Sequence, residues 1–218
     1  MDVVLNYLEI KKTLPCEVVL VAVSKFQPSS AIRKLYDAGC RDFGESRVQE
    51  LIVKKNELPS DIRWHFIGHL QSNKVREIVP FVYLIHGVDS MKLLSVIDTE
   101  AEKCNRTVNC LLQAHIAKET TKFGFLPDEI VSIATSEEGT FPNIEICGLM
   151  GMATNTENSQ IVASEFAEIK VLFDEIKQIK KQMNDFTILS IGMSGDYSLA
   201  VSSGSTMVRV GSSIFGDR

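Results

Sequence analysis

Two hydrophobic rhythms take turns along this chain. Short apolar runs with strand character alternate with longer segments whose apolar residues fall three and four apart, the spacing of one helix face. The first run is "VVLVAVSK", residues 18–25, and it ends on a lysine. Pro28 then opens "PSSAIRKLYDAG", a predicted helix that stops at Gly39. The order repeats with strand "CRDFGE" before helix "SRVQELIVKKNEL", and strand "IRWHFIG" before helix "SNKVREIV". Strand "FVYLIHGVD" leads into helix "SMKLLSVIDTEAEKCN", capped by Ser90 or Asp89. Strand "TVNCLLQAHI" precedes "PDEIVSIATSEE", where Pro127 suits a first helical turn. Strand "NIEICGLMGM" is followed by "SQIVASEFAEIKVLFDEIKQIKK", in which Val162, Phe166, Ile169, Phe173 and Ile176 mark one apolar stripe. Strand "FTILSIGM", helix "GDYSLAVSSG" and strand "TMVRVG" complete the series, and "SSIFGDR" closes the chain.

Eight strands alternating with helices predict an α/β protein, a single (β/α)8 TIM barrel over residues 1–218. The helix at residues 3–12 is extra to that plan and leaves the bottom rim of the barrel thinly covered. The competing fold is an open doubly wound sheet, but no G-x-G-x-x-G fingerprint follows the first strand. A barrel places its active site at the C-terminal ends of its strands. The search for chemistry therefore becomes a reading of strand exits.

Composition narrows the classes of partner. With 44% hydrophobic and 23% charged residues, the chain has an ordinary globular balance. Its formal net charge of -5 argues against nucleic acid as a partner. No apolar run approaches the roughly 18 residues of a membrane span, and "MDVVLNYLEIKK" lacks the layout of a secretory signal. Five scattered cysteines without a C-x-x-C pair read as reduced thiols in a cytoplasmic protein.

The strand exits are polar. Lys25 ends the first, Glu45 and Ser46 the second, and His65 lies on the third. Ser194 follows the seventh, while Arg209, Gly211 and Ser212 mark the eighth. Loops after strands seven and eight commonly form a barrel's phosphate site, and "GMS" and "VRVGSS" bring glycine and serine to both. Arg209 needs a partner inside its apolar strand: a carboxylate such as Asp196 or Glu45, or a ligand atom in the mouth. Lys25 is either a solvated lysine just past its strand or an amine held in an apolar mouth. A neutral amine there is a nucleophile toward aldehydes. An amine facing a phosphate site fits pyridoxal 5′-phosphate, a phosphorylated aldehyde.

Other features read as structural. His65 and His69 are four apart but straddle a strand end, so no metal site is expected. His86 and His115 sit in apolar strands, the lysines of "KKNEL" and "KQIKKQ" read as solvated helix faces, and the methionines of "GLMGM" as packing.

The stretches "LVAVSKFQP", "DFGESRVQE", "WHFIGHLQSNK", "GLMGM", "LSIGMSGD" and "GSTMVRVGSSIFGDR" resemble the pyridoxal-phosphate homeostasis proteins, single-domain relatives of the N-terminal barrel of alanine racemase. The resemblance runs in order over nearly the whole chain. It implies a (β/α)8 barrel in which Lys25 holds pyridoxal phosphate as a Schiff base. It also implies a role as a carrier or buffer in vitamin B6 and amino/keto acid homeostasis, without a catalytic residue. By that resemblance Ser194, Gly211 and Ser212 hold the phosphate, Arg209 faces the ring nitrogen, His65 lines the ring pocket and Met193 flanks the cofactor. Ser46 stands where the family often has asparagine ("FGES" for "FGEN"). Pyridoxal-phosphate-dependent apo-enzymes are the implied recipients, and a monomer is expected. Two alternatives stand beside this reading. One is a racemase, which in this family adds a C-terminal β domain that a chain ending at Arg218 leaves no room for. The other is a barrel for a different phosphorylated metabolite, with Lys25 as a charge partner.

Overall fold

All eight expected strands form, and each pairs in parallel with the next to close a barrel. They are β1 (Val19–Val23), β2 (Asp42–Glu45), β3 (Arg63–Phe66), β4 (Leu84–Val88), β5 (Val108–Gln113), β6 (Ile144–Met150), β7 (Ile188–Ser190) and β8 (Met207–Val210). β8 returns to β1 in a register that sets Val19 beside Met207 and Val21 beside Arg209. The computed structural model describes residues 2–116, 124–134, 141–179 and 186–216. Around the barrel lie α1 (Val3–Thr13), α2 (Ser29–Asp37), α3 (Val48–Glu57), α4 (Val75–Ile78), α5 (Met91–Lys103), α6 (Pro127–Ala134), α7 (Ser159–Ile179), α8 (Tyr197–Ser202) and α9 (Ser212–Phe215). No helix among the described residues is long and apolar enough to cross a membrane.

Strand alternation sorts the side chains into two cores. Ala22, Phe43, Phe66 and Ile85 point out and meet the helices in a large outer core. Val21, Leu84, Leu111, Cys147 and Met207 point in and fill the barrel. The α7 stripe is buried at all five expected positions, from Val162 to Ile176. At roughly 1.5–3 kcal/mol for each large apolar side chain fully buried, that stripe is a main anchor of its helix.

Caps and turns follow local chemistry. Ser90, not Asp89, caps α5 by accepting the Leu93 N–H at 3.3 Å. Asp89 instead meets His69 Nδ1 at 2.9 Å. Pro127 is the first residue of α6, as its missing N–H allows. The tails of the helices predicted at "ATSEE" and "KQIKK", and the last two residues, lie partly or wholly outside the described residues.

Several expectations need correction. β1 ends at Val23, so Lys25 lies in the turn beyond it. "SNKVREIV" is a 3-10 turn, Ser72–Lys74, followed by one turn of α-helix. β7 keeps only three residues, and its register with β8 is the single pair Ser190–Met207. Side-chain bonds take over beside it. The Ser205 hydroxyl lies 3.2 Å from the Leu189 carbonyl oxygen and 2.9 Å from that of Ile191. Gly192 then turns at φ +93°, and a Cβ there would meet the Ala200 methyl at 2.5 Å. The bottom rim carries a cavity of about 440 Å³, bounded by Tyr7 and Lys11 of α1 and by the starts of β1, β2 and β3.

Candidate functional site

A cavity of about 680 Å³ opens at the C-terminal ends of the strands. Lys25, Ser46, Met193, Ser194, Arg209, Gly211 and Ser212 all line it, together with His69, Ile67 and Phe215. Its size falls within the usual range for small-molecule sites. Residues from six βα exits, those of β1, β2, β3, β6, β7 and β8, therefore converge on one space. His65 does not: it is fully buried deeper in the barrel. Its ring bonds Asp42 at 3.1 Å and His86 at 2.9 Å, one layer below the mouth.

Lys25 is half-buried and held between two anchored neighbours. Before it, the Ser24 N–H donates to the Gly44 carbonyl at 2.9 Å. After it, Phe26 takes a left-handed conformation, φ +64°, which a bulky residue adopts only when its surroundings impose it. Those surroundings are visible. The Phe26 N–H donates to Glu50 Oε1 at 2.5 Å, and the Arg47 guanidinium lies 4.6 Å from the centre of the Phe26 ring.

Beneath the turn lies a buried ion network that the sequence reading missed. Lys54 is 4% exposed, not part of a solvated face. Its Nζ donates to the Ser24 carbonyl at 2.7 Å, to Glu45 Oε1 at 2.8 Å and to Glu50 Oε1 at 2.6 Å. The Ser24 hydroxyl also donates to Glu45 Oε1, at 2.5 Å. Glu45 Oε2 is buried without a hydrogen-bond partner among the described residues. Burial pushes the Glu45 carboxyl up, and the bonds from Lys54 and Ser24 offset only part of that. The available signal was the pair Glu50 and Lys54, four apart on α3.

Across the mouth, donors converge on one point. Ser194 Oγ accepts the Gly211 N–H at 3.0 Å and the Ser213 N–H at 3.4 Å. Two amides and a hydroxyl meeting there suit an anion. Gly211 has little room for a side chain, since a Cβ would lie 3.3 Å from that of Val23. Gly68 brings the β3 exit against Ser46, where a Cβ would stand 2.5 Å from the Ser46 carbonyl oxygen.

Arg209 forms the floor. Its partners are neither Asp196 nor Glu45, the carboxylates considered from sequence. Nη1 donates to the Ser190 carbonyl and hydroxyl oxygens, both at 2.7 Å, and Nη2 to the Gly151 carbonyl at 3.1 Å. Glu45 is out of reach because it points outward on β2 to Lys54, whereas Arg209 points inward beside Val21. Burial pulls the guanidinium down to about 10, so it stays charged at neutral pH. Three of its five N–H donors have partners among the described residues, and the side chain lines the cavity. No group of three or more metal-ligating side chains occurs among the described residues.

Comparison with known proteins gives consistent matches. The family model for the alanine racemase N-terminal domain matches residues 3–218. A pyridoxal phosphate homeostasis protein from Synechocystis sp. is 40% identical over 214 residues, covering 97% of each chain. The structure of PipY from Synechococcus elongatus PCC7942 without PLP superposes with a TM-score of 0.92 at 36% identity, over 99% of this chain and 100% of that one. The structure of the same protein with PLP bound gives 0.87 at 35% identity, with the same coverage.

Proposed function

The chain belongs to the pyridoxal phosphate homeostasis protein family, built on the alanine racemase N-terminal domain, and we propose that it binds pyridoxal 5′-phosphate in the barrel mouth and helps regulate the cell's pool of that cofactor and of amino and keto acids. One observation carries the reading. An amine, Lys25, shares a cavity with an anion-suited cluster at Ser194 and Gly211, and a buried arginine lies at its floor.

When bound, pyridoxal phosphate supplies an aldehyde for an amine and an electron-accepting ring. Lys25 would bond the aldehyde carbon. Ser194, Gly211 and Ser212 would hold the phosphate, by hydroxyl and backbone donors. Arg209 would direct an N–H at the ring nitrogen, as an always-charged donor that does not readily give up its proton. Such a ring is a weaker electron sink than one paired with a carboxylate, which suits holding over turnover. Met193 and Ser46 would flank the ring, Ser46 leaving more space than an asparagine. His65 is left out of this set, because it is buried away from the cavity.

The reading extends to a cytoplasmic monomer that passes its cofactor to apo-enzymes. All five cysteines are free, which suits a reducing compartment. A racemase needs a base on each face of the cofactor. Among the described residues no tyrosine or cysteine lines the cavity, and Nδ1 of the one histidine that does, His69, is engaged by Asp89 at 2.9 Å. Racemisation of common amino acids is therefore expected to stay below about 1 s⁻¹, and a faster enantiomer exchange followed by circular dichroism would replace the carrier reading with the enzymatic one.

Ser194→Ala tests the phosphate cluster. Hydrogen bonds to charged groups contribute about 1.5–3 kcal/mol, or roughly 10–100-fold in affinity. The variant is expected to keep its absorbance band with pyridoxal phosphate but to lose the cofactor that much more readily on dialysis. Its affinity for pyridoxal, which lacks the phosphate, is expected to match wild type. Equal loss for both ligands would place the phosphate elsewhere.

A further inference from the structure

A single file of polar side chains runs through the barrel interior and connects Arg209 to the opposite rim. Arg209 Nη1 reaches Ser190 Oγ at 2.7 Å, and Ser190 Oγ reaches His86 Nδ1 at 3.1 Å. His86 Nε2 meets His65 Nδ1 at 2.9 Å, and His65 Nε2 meets Asp42 Oδ1 at 3.1 Å. Arg63 closes the far end with a fork onto Asp42, at 2.7 and 2.6 Å. The five residues come from β8, β7, β4, β3 and β2. Each is buried, and Ser190, His65 and His86 are fully so.

The two ends fix the direction of every bond between them. A guanidinium only donates, so Ser190 Oγ accepts from Arg209. Burial pushes the Asp42 carboxyl up, but hydrogen bonds from Arg63 and His65 prevail and hold it at about 2. It is therefore a carboxylate that only accepts, and His65 must carry its proton on Nε2. The His65 Nδ1 lone pair then accepts from His86 Nε2–H, and the His86 Nδ1 lone pair accepts from the Ser190 hydroxyl. Burial disfavours a charge on either imidazole, so both are neutral. No donor faces a donor, and the file carries one continuous dipole from the arginine to the carboxylate.

We propose that Ser190, His86, His65 and Asp42 are positioning residues for Arg209: a polarised relay that orients the guanidinium in the mouth. The proposal rests on the reading of Arg209 as the partner of the cofactor's ring nitrogen. It explains how a buried arginine is aimed by neutral groups: the Ser190 hydroxyl that accepts from Nη1 is itself fixed by the bonds through His86 and His65 to Asp42. It also explains why two histidines occupy the barrel interior, where packing alone needs neither.

The wild-type protein free of cofactor gives the first test. Long-range ¹H–¹⁵N NMR is expected to show His65 and His86 both protonated on Nε2 alone, with no titration between about pH 6 and 8, where free imidazole changes charge. A proton on Nδ1 of either ring, or an ordinary titration, breaks the polarity and overturns the proposal. Variants supply the second test. In His86→Leu the file is cut. The Arg209 guanidinium resonances are then expected to broaden, and the absorbance band with pyridoxal phosphate to shift. His86→Gln offers one acceptor and one donor on a planar group and is expected to restore both signals in part. Asp42→Asn, which keeps an acceptor but removes the charge, is expected to alter the band less than His86→Leu does. Unchanged guanidinium resonances in a folded His86→Leu or Asp42→Leu protein would reduce the file to packing. If wild type forms no band with pyridoxal phosphate, the proposed function falls, while the tautomers and guanidinium resonances still decide the relay.

Discussion

Lys25→Ala is expected to abolish the visible absorbance band that pyridoxal phosphate gives with the wild-type protein, while leaving the fold intact. The reason is the separation between what Lys25 does and what holds it. The residue lies in the turn after β1, is half-buried, and its Nζ makes no hydrogen bond or ion pair with a described residue. Removing its side chain therefore takes little from the packing, and a stability change within about 0.5 kcal/mol is expected, as at other positions outside core or network. Everything lost is chemical. Arg209 and the Ser194 cluster stay in place, so non-covalent binding of the phosphate is retained, weakened but measurable by fluorescence or calorimetry. A band of wild-type position and strength in Lys25→Ala would show that another amine is the anchor.

Lys54→Met carries the largest expected effect on stability. The substitution keeps volume and helix propensity but removes the cation shared by Glu45, Glu50 and the Ser24 carbonyl. Glu45 is fully buried, and one of its oxygens already lacks a partner among the described residues. Breaking a buried pair from one side costs about 3–5 kcal/mol, because the remaining charge is uncompensated. For a chain of this size that is a fall in Tm of roughly 6–20 °C. The penalty has a pH signature. Burial already raises the folded-state carboxyl of Glu45, and loss of Lys54 removes a group that lowers it. A carboxyl raised in the folded state favours folding while protonated, and that contribution is lost as pH rises from the unfolded value, about 4.3, through the folded one. The gap between variant and wild type is thus expected to be smaller near pH 4 than near pH 7, read by thermal melts at both. A second consequence links stability to function. Glu50 anchors the strained Phe26 turn next to Lys25, so the variant is also expected to form the Lys25-dependent band less completely. Glu45→Gln placed on top of Lys54→Met is expected to recover part of the stability, since it removes the stranded charge. A uniform penalty across pH would mean that lost packing, not the buried carboxylate, dominates.

The alternation of apolar runs with helical segments was enough to read the barrel, because strand count and order are local properties that neighbouring residues report. The mouth was legible for the same reason: a strand exit is a position in sequence, and Lys25, Ser194, Arg209 and Gly211 all line the cavity. Depth and direction were not legible. His65 and Arg209 both point into the barrel, yet only Arg209 lines the cavity. Which layer a residue occupies depends on the stagger between strands, a closure property that no single strand reports. Lys54 was misread because lysines are mostly exposed and its neighbours, "KKNE", are charged. Its burial follows from Glu45 pointing outward, which the parity of β2 shows only once Asp42 is known to point in. The polar file from Arg209 to Asp42 drew on five strands; from sequence Arg209 and His65 read as cofactor residues and His86 as structural, and no local pattern joined them.

The most direct test of the account is borohydride reduction of the wild-type protein after incubation with pyridoxal phosphate, followed by peptide mapping. The account predicts a yellow protein whose band shifts on reduction, with a single cofactor-bearing peptide and the mass increment on Lys25. A colourless protein under saturating cofactor, or a stable adduct on any other lysine with Lys25 unmodified, would contradict it.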